Sequence, residues 1–128
     1  MTTSDLPAEG QPDGTEAPFD DVITLSTSTG DDGVVTVTVV GEVDTFTAPV
    51  LRSTLDSQLE QQPKELVIDL SGVQFLGSAG LAVLVETQKS SRAREVGLSL
   101  IATTRAVTRP LEVTGLIDLF TIVDSSAR

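Results

Sequence analysis

Residues 67–85 read VIDLSGVQFLGSAGLAVLV, and their reading decides the fold. A short apolar strand, 66–70, contains Leu66, Val67, Ile68 and Leu70. A loop carrying Gly72 and Gly77 follows it and ends at Ser78, where an apolar helical run begins. A nearly all-apolar strand is what a sheet covered on both faces requires. Strand, loop and helix in direct succession make one half of a β-α-β unit. Ser78 stands at the helix N-terminus, where a hydroxyl lies near the surface and the backbone favours negative charge. The position suits a reversible phosphate.

The remaining composition offers little other chemistry. The chain has 128 residues, enough for one domain of ordinary size. It is 39% hydrophobic but has only four Phe and no Trp or Tyr, so the core rests on Val, Leu, Ile and Ala. Cysteine and histidine are both absent. That removes disulfides, thiolate chemistry, Cys-ligated metals and the commonest general base. Asp, Glu and Lys form no paired constellation. The expectation is a regulatory or binding module, not an enzyme, with no cofactor.

The net charge is −11, unevenly spread. Residues 1–21 hold Asp5, Glu9, Asp13, Glu16, Asp20 and Asp21 without a base, and the first basic residue is Arg52. Nucleic acid and anionic membrane are therefore not expected as partners, since both need clustered Lys and Arg. A partner with a basic docking face fits the charge, and so does an acidity that only maintains solubility. The chain has neither an apolar run long enough to span a membrane nor a signal-peptide pattern at its start, so a cytoplasmic location is expected. Gly72 to Gly80 superficially suggests a phosphate loop, but the Lys is missing and the spacing is wrong.

The pattern along the chain predicts its elements. Residues 1–20, rich in Pro, Gly, Ser, Thr and acids, are expected to be a disordered acidic tail. The domain is expected to span 21–126. A strand at 22–29 points Ile23 and Leu25 inward, Gly30-Asp31-Asp32-Gly33 forms a turn, and a strand at 34–40 alternates Val35, Val37 and Val39 with Thr36 and Thr38. These two form a hairpin. A helix follows, capped by Thr45 or Thr47, with Pro49 in its first turn and Leu51, Leu55 and Leu59 as its core stripe, and Pro63 stops it. In the helix after Ser78, Leu81, Leu84 and Val85 face the sheet. Ala79, Ala82 and Val83, with Glu86, form a second, small apolar face. Surface helices ordinarily carry polar groups there, so this face is a candidate docking surface, although scattered Ala and Val also occur on surfaces without a function. Lys89, Arg92 and Arg94 end the helix. A strand at 96–102 comes next, then a helix capped by Thr104 that packs through Val107, Leu111 and Val113. Pro110 is expected to kink that helix or divide it into two short turns. Gly115 ends it, and a strand at 119–123 closes the domain. The order β-β-α-β-α-β-α-β describes an α/β mixed sheet with an N-terminal antiparallel hairpin and parallel strands beyond it.

Four segments in this order resemble the STAS domain, the family of sulphate transporters and anti-sigma factor antagonists. Gly41-Glu42-Val43-Asp44 is similar to the family's Gly-Glu-Leu-Asp at the end of the second strand. Val67-Ile-Asp-Leu-Ser-Gly-Val73 is similar to the strand and loop before the regulatory site. Phe75-Leu-Gly-Ser-Ala-Gly-Leu81 is similar to Phe-Met-Asp-Ser-Ser-Gly-Leu, and Val107-Thr-Arg-Pro-Leu-Glu-Val-Thr-Gly-Leu116 to the late helix ending in Ser/Thr-Gly-Leu. The resemblance covers about 22–124. It implies the fold of the anti-sigma factor antagonists and, for a small single domain, the role of a bacterial anti-anti-sigma factor.

What the resemblance implies further is partner switching. The unmodified domain binds an anti-sigma factor and so frees a sigma factor. The anti-sigma factor is also a serine kinase that phosphorylates the domain, which then lets go, and a serine phosphatase resets it. The family's phosphorylated serine falls on Ser78. The implied partner-binding surface comprises Glu42, Asp44, Gly77, Ser78, Ala79, Ala82 and Val83. One departure stands out: Gly77 replaces the family's Asp before the serine. Asp44, at the end of the neighbouring strand, is a nearby alternative source of acidity. The loss of that Asp favours a second reading, a STAS subunit that is never phosphorylated and serves as a scaffold or as part of a lipid-transport ATPase.

Overall fold

The computed structural model describes residues 23–123. The expected acidic tail, the strand residue Val22 and both ends of the expected 21–126 domain lie outside the described residues. The elements are β1 (Ile23–Thr29), β2 (Val34–Val43), α1 (Ala48–Glu60), β3 (Glu65–Leu76), α2 (Ser78–Ala93), β4 (Gly97–Ile101), α3 (Arg105–Val113), a 3-10 turn (Leu116–Leu119) and β5 (Thr121–Val123). They form one five-stranded sheet in the order β1-β2-β3-β4-β5. β1 and β2 are antiparallel, and every later pair is parallel. The sequence order of the strands is also their spatial order. Successive right-handed crossovers in one direction then place all three helices on the same face.

The core follows from that placement. Val35, Val37 and Val39 of β2 pair in register with, or lie beside, Leu66, Ile68 and Leu70 of β3, and Leu100 of β4 continues the row. Over them lie Leu51, Leu55 and Leu59 of α1, Leu81 and Leu84 of α2, and Val107 and Leu111 of α3, all in one buried cluster. The four-residue spacing in α1 puts its three leucines on a single stripe, as read from sequence. Pro49 occupies the first turn of α1, where no hydrogen bond is lost. The hairpin turn closes with the Gly30 N–H donating to the Val34 carbonyl at 2.9 Å.

Several expectations are corrected. The stretch after Leu70 is not a loop, because β2 continues to Val43 and its extension pairs with 72–76. Register shifts at Thr38/Val40 and Gly41/Glu42 absorb the surplus residues of β3. Val83 is 1% exposed and belongs to the core, not to a second face of α2. A buried stripe of Gly80, Leu81, Val83, Leu84 and Thr87 is wider than the three apolar positions assigned to it, since α2 packs against both the sheet and α1. Val113 is 72% exposed, while Val107 and Leu111 carry the packing of α3. That helix runs unbroken through Pro110. Pro110 is its sixth residue, so a single bond, to the Ala106 carbonyl, is lost, and burial of Val107 and Leu111 on either side offsets it. The last strand starts at Thr121 because 116–119 coil into the 3-10 turn.

The N-terminus of α2 meets the ends of β2 and β3 at very short range. A Cβ on Gly80 would lie 2.6 Å from Val43 Cγ1 and 2.7 Å from Leu76 Cδ1. Both neighbours are buried, so neither has space to retreat. Alanine would gain up to about 1 kcal/mol in helix propensity. Overpacking costs about 1–3 kcal/mol and exceeds it. Gly80→Ala is therefore expected to lower the free energy of unfolding by roughly 1–2 kcal/mol, measured as a shifted denaturant midpoint with unchanged slope.

Candidate functional site

Two chain segments run side by side at the carboxyl ends of β2 and β3. The Gly77 N–H donates to the Val43 carbonyl at 2.9 Å and ties them together. Gly77 is the N-cap of α2, and Ser78 is the first helical residue. No side chain caps this helix, so the first-turn N–H groups keep their donor capacity toward an incoming anion. Ser78 itself is exposed, with its hydroxyl on the outer surface where a partner protein has access.

Gly77 is not dictated by its backbone. Its φ of −91° and ψ of −178° suit any residue. What occupies the space is Phe75, whose ring carbons Cε2 and Cζ would lie 3.0 and 3.3 Å from a Cβ at position 77. Phe75 is 51% exposed. An aromatic ring thus lies against position 77, where the expected motif has a carboxylate.

Asp44 is tied through Oδ1 to its own loop. Oδ1 accepts from the Phe46 N–H at 2.9 Å and the Thr47 N–H at 3.0 Å. The Thr47 hydroxyl donates to the Glu42 carbonyl at 2.8 Å and accepts from the Asp44 N–H at 2.9 Å. Thr47, expected as a helix cap, holds the N-cap position of α1, but it is fully buried and its hydroxyl stitches this loop without bonding the first turn. The Thr47 N–H is the largest influence holding the Asp44 carboxyl below its ordinary value of 3.8; partial desolvation opposes it, and the bond from Phe46 adds to it. Asp44 is thus a staple of the β2–α1 loop, and the neighbouring Glu42 is exposed.

The expected docking residues divide. Ser78 and Ala82 are exposed, Ala79 and Gly77 are half-buried, and Val83 is in the core. Val85, assigned to the sheet side, is half-buried and joins Ser78, Ala82, Glu86, Lys89 and Leu116 around an open groove of about 420 Å³. Glu86 pairs with Arg52 of α1 at 2.9 Å. Sequence reasoning missed the exposed apolar groups of the same end of the sheet: Phe46, 69% exposed, with Phe75 and Val50. Phe46 follows directly from the staple, whose N–H bonds fix the loop that carries it. A lone aromatic in a Thr-rich loop between strand and helix was the available signal. Among the described residues, no group of three metal-ligating side chains occurs, and no helix is long and apolar enough to cross a membrane.

The staple has a pH signature. A carboxyl whose folded-state pKa is lowered stabilises the fold above its unfolded value, and that contribution is lost as pH falls through the folded value. Asp44→Asn is expected to be less stable than the parent chain at pH 7. The gap should narrow as pH falls below about 4, which paired denaturant titrations across pH 3–7 would measure.

Comparison with known proteins agrees with this geometry. The STAS domain model matches residues 26–128. The anti-sigma-F factor antagonist RsfB of Mycobacterium tuberculosis is 35% identical over 88 residues, covering 69% of this chain and 71% of the relative. The anti-sigma-B factor antagonist of Bacillus subtilis is 37% identical over 92 residues, 72% of this chain and 81% of the relative. The crystal structure of an anti-sigma factor antagonist from Mycobacterium paratuberculosis superimposes with a TM-score of 0.77 at 39% identity, covering 86% of this chain and 91% of that one. With its antiparallel hairpin, its parallel β-α-β run and its serine at the mouth of α2, the chain belongs to the STAS domain family.

Proposed function

We propose that this chain is an anti-sigma factor antagonist: unmodified, it binds an anti-sigma factor and releases a sigma factor, and phosphorylation of Ser78 ends the binding. The observation that carries the reading is the exposed Ser78, at the uncapped first turn of α2 and beside an apolar groove. The names of the relatives support the choice of partner. The role is one of binding and regulation in the cytoplasm, with a serine kinase and a serine phosphatase acting on the domain.

The partner surface comprises Ser78, Ala82 and the outer side of Val85, bordered by Glu42, Gly77 and Ala79. Phe46 and Phe75 join it, since exposed aromatics at a surface of this kind supply most of the binding energy. Asp44 serves the surface indirectly, by holding the Phe46 loop. Val83 has no part in it.

A phosphate adds about −1.5 to −2 charges at pH 7. At the start of α2 it is tolerated, favourably by about 0.3–1 kcal/mol, so the domain keeps its fold. Against a docked partner the same dianion must be desolvated beside Ala82 and Phe75, where the cost is several times larger. Charge alone then sets whether the complex persists.

The scaffold reading, a domain never phosphorylated, draws on one observation: the Phe75 ring occupies the space at position 77, so no carboxylate helps present Ser78. One experiment separates the two. The chain is incubated with anti-sigma serine kinases and ATP, and intact mass is read. A single phosphate, absent from Ser78→Ala, is expected, and no phosphate on the parent chain favours the scaffold. Ser78→Glu is expected to weaken anti-sigma binding about a hundredfold by calorimetry while leaving the melting temperature within about 1 °C. Equal affinity of Ser78→Glu and the parent chain would refute the switch.

A further inference from the structure

One side chain of α2 is bonded to a distant part of the chain. Gln88, 9% exposed, donates from Nε2 to the Leu119 carbonyl at 2.6 Å, across 31 residues of sequence. Leu119 is the last residue of the 3-10 turn Leu116–Leu119, between α3 and β5. The first residue of the same turn, Leu116, lines the groove that holds Ser78. Gln88 therefore grips the far end of the element that supplies one groove wall. The other wall is α2 itself, through Ser78, Ala82 and Val85. Leu81 also lines the groove, and Gln88 stands seven residues beyond it, two helical turns along the same stripe of α2. One helix thus forms a wall and carries the bond to the element opposite.

The other contacts of the turn do not fix the width of the groove. Leu116 and Ile117 pack against the core and Phe120 belongs to it, which sets how deep the turn lies, but apolar packing has no preferred direction. At its start the turn joins α3 through Gly115, whose φ of 76° is left-handed. A Cβ there would meet nothing within 4 Å, so no neighbouring group braces that joint on its Cβ side. A hydrogen bond, by contrast, holds its partners within a few tenths of an ångström and along one direction. We propose that Gln88 is a positioning residue for the partner surface: it holds the Leu116 wall at a set distance from α2, so that the groove is already shaped when the anti-sigma factor arrives. The inference rests on the proposed function and concerns how the binding surface is built, not how Ser78 switches it. Without the amide donor, the turn has to be ordered at each docking, and affinity falls by that ordering cost.

A double-mutant cycle on the full-length chain tests this. Gln88→Met keeps the length of the side chain and removes the donor, and Leu116→Ala removes the wall. Anti-sigma factor affinities of the parent, both single variants and the double variant are measured by calorimetry, and the Leu116 methyl signals of the free proteins by NMR. Gln88→Met is expected to weaken binding about fivefold, the net weight of one hydrogen bond, and to displace the Leu116 signals while those of Leu55 stay in place. In the Leu116→Ala background the same change is expected to have no further effect on affinity. A purely structural role for Gln88 predicts the same loss in both backgrounds, and that result would overturn the proposal. So would unmoved Leu116 signals, or equal affinity of Gln88→Met and the parent. A parent chain that binds no anti-sigma factor would remove the proposed function, and this inference with it. Should Gln88→Met fail to fold, Gln88→Glu, which has no proton to donate at neutral pH, is read in the same way.

Discussion

The architecture turns on one close approach, that of the first turn of α2 to the paired ends of β2 and β3. Gly77 donates to Val43, and Gly80 brings the helix backbone against Val43 and Leu76 with no room for a methyl group. That contact fixes the direction in which α2 leaves the sheet and presents Ser78 outward. It also keeps the β2–α1 loop, with Asp44, Thr47 and Phe46, in the same neighbourhood. A looser junction would leave the fold class unchanged but would let the serine and the aromatic groups beside it drift apart.

Much of this was legible from residues alone. The alternation in 34–39, the leucine stripe of α1 and the apolar run of β3 each point to one kind of element, so the mixed sheet with its antiparallel hairpin and the buried face of α1 followed. The position of Ser78 at a helix start was equally readable, because an apolar helical run begins directly after it. What escaped were effects of tertiary contact. Val83 looks like a surface residue until α1 is known to pack on that side. The pairing of 72–76 depends on register shifts that leave no local mark. Asp44 reads as an acid near the site, and only the loop's hydrogen bonds show that its Oδ1 accepts from Thr47 and Phe46.

The site joins two kinds of order. The staple and the helix junction are hydrogen-bonded and closely packed. The groups they display, Ser78, Ala82, Phe46 and Phe75, are exposed and bear little on the core. Under the proposed function, stability and recognition are carried by different residues. A modification can alter the second without disturbing the first, which a reversible regulator requires.

Among the described residues, the edge strand β1 has a strand on one side only, and it reads ITLSTST. Past Ile23 its side chains, Leu25 apart, are short and hydroxylated. An intruding chain that zipped onto this border would gain amide bonds but little greasy contact to hold it there. That composition gives crowded copies of the molecule little reason to extend the sheet along β1.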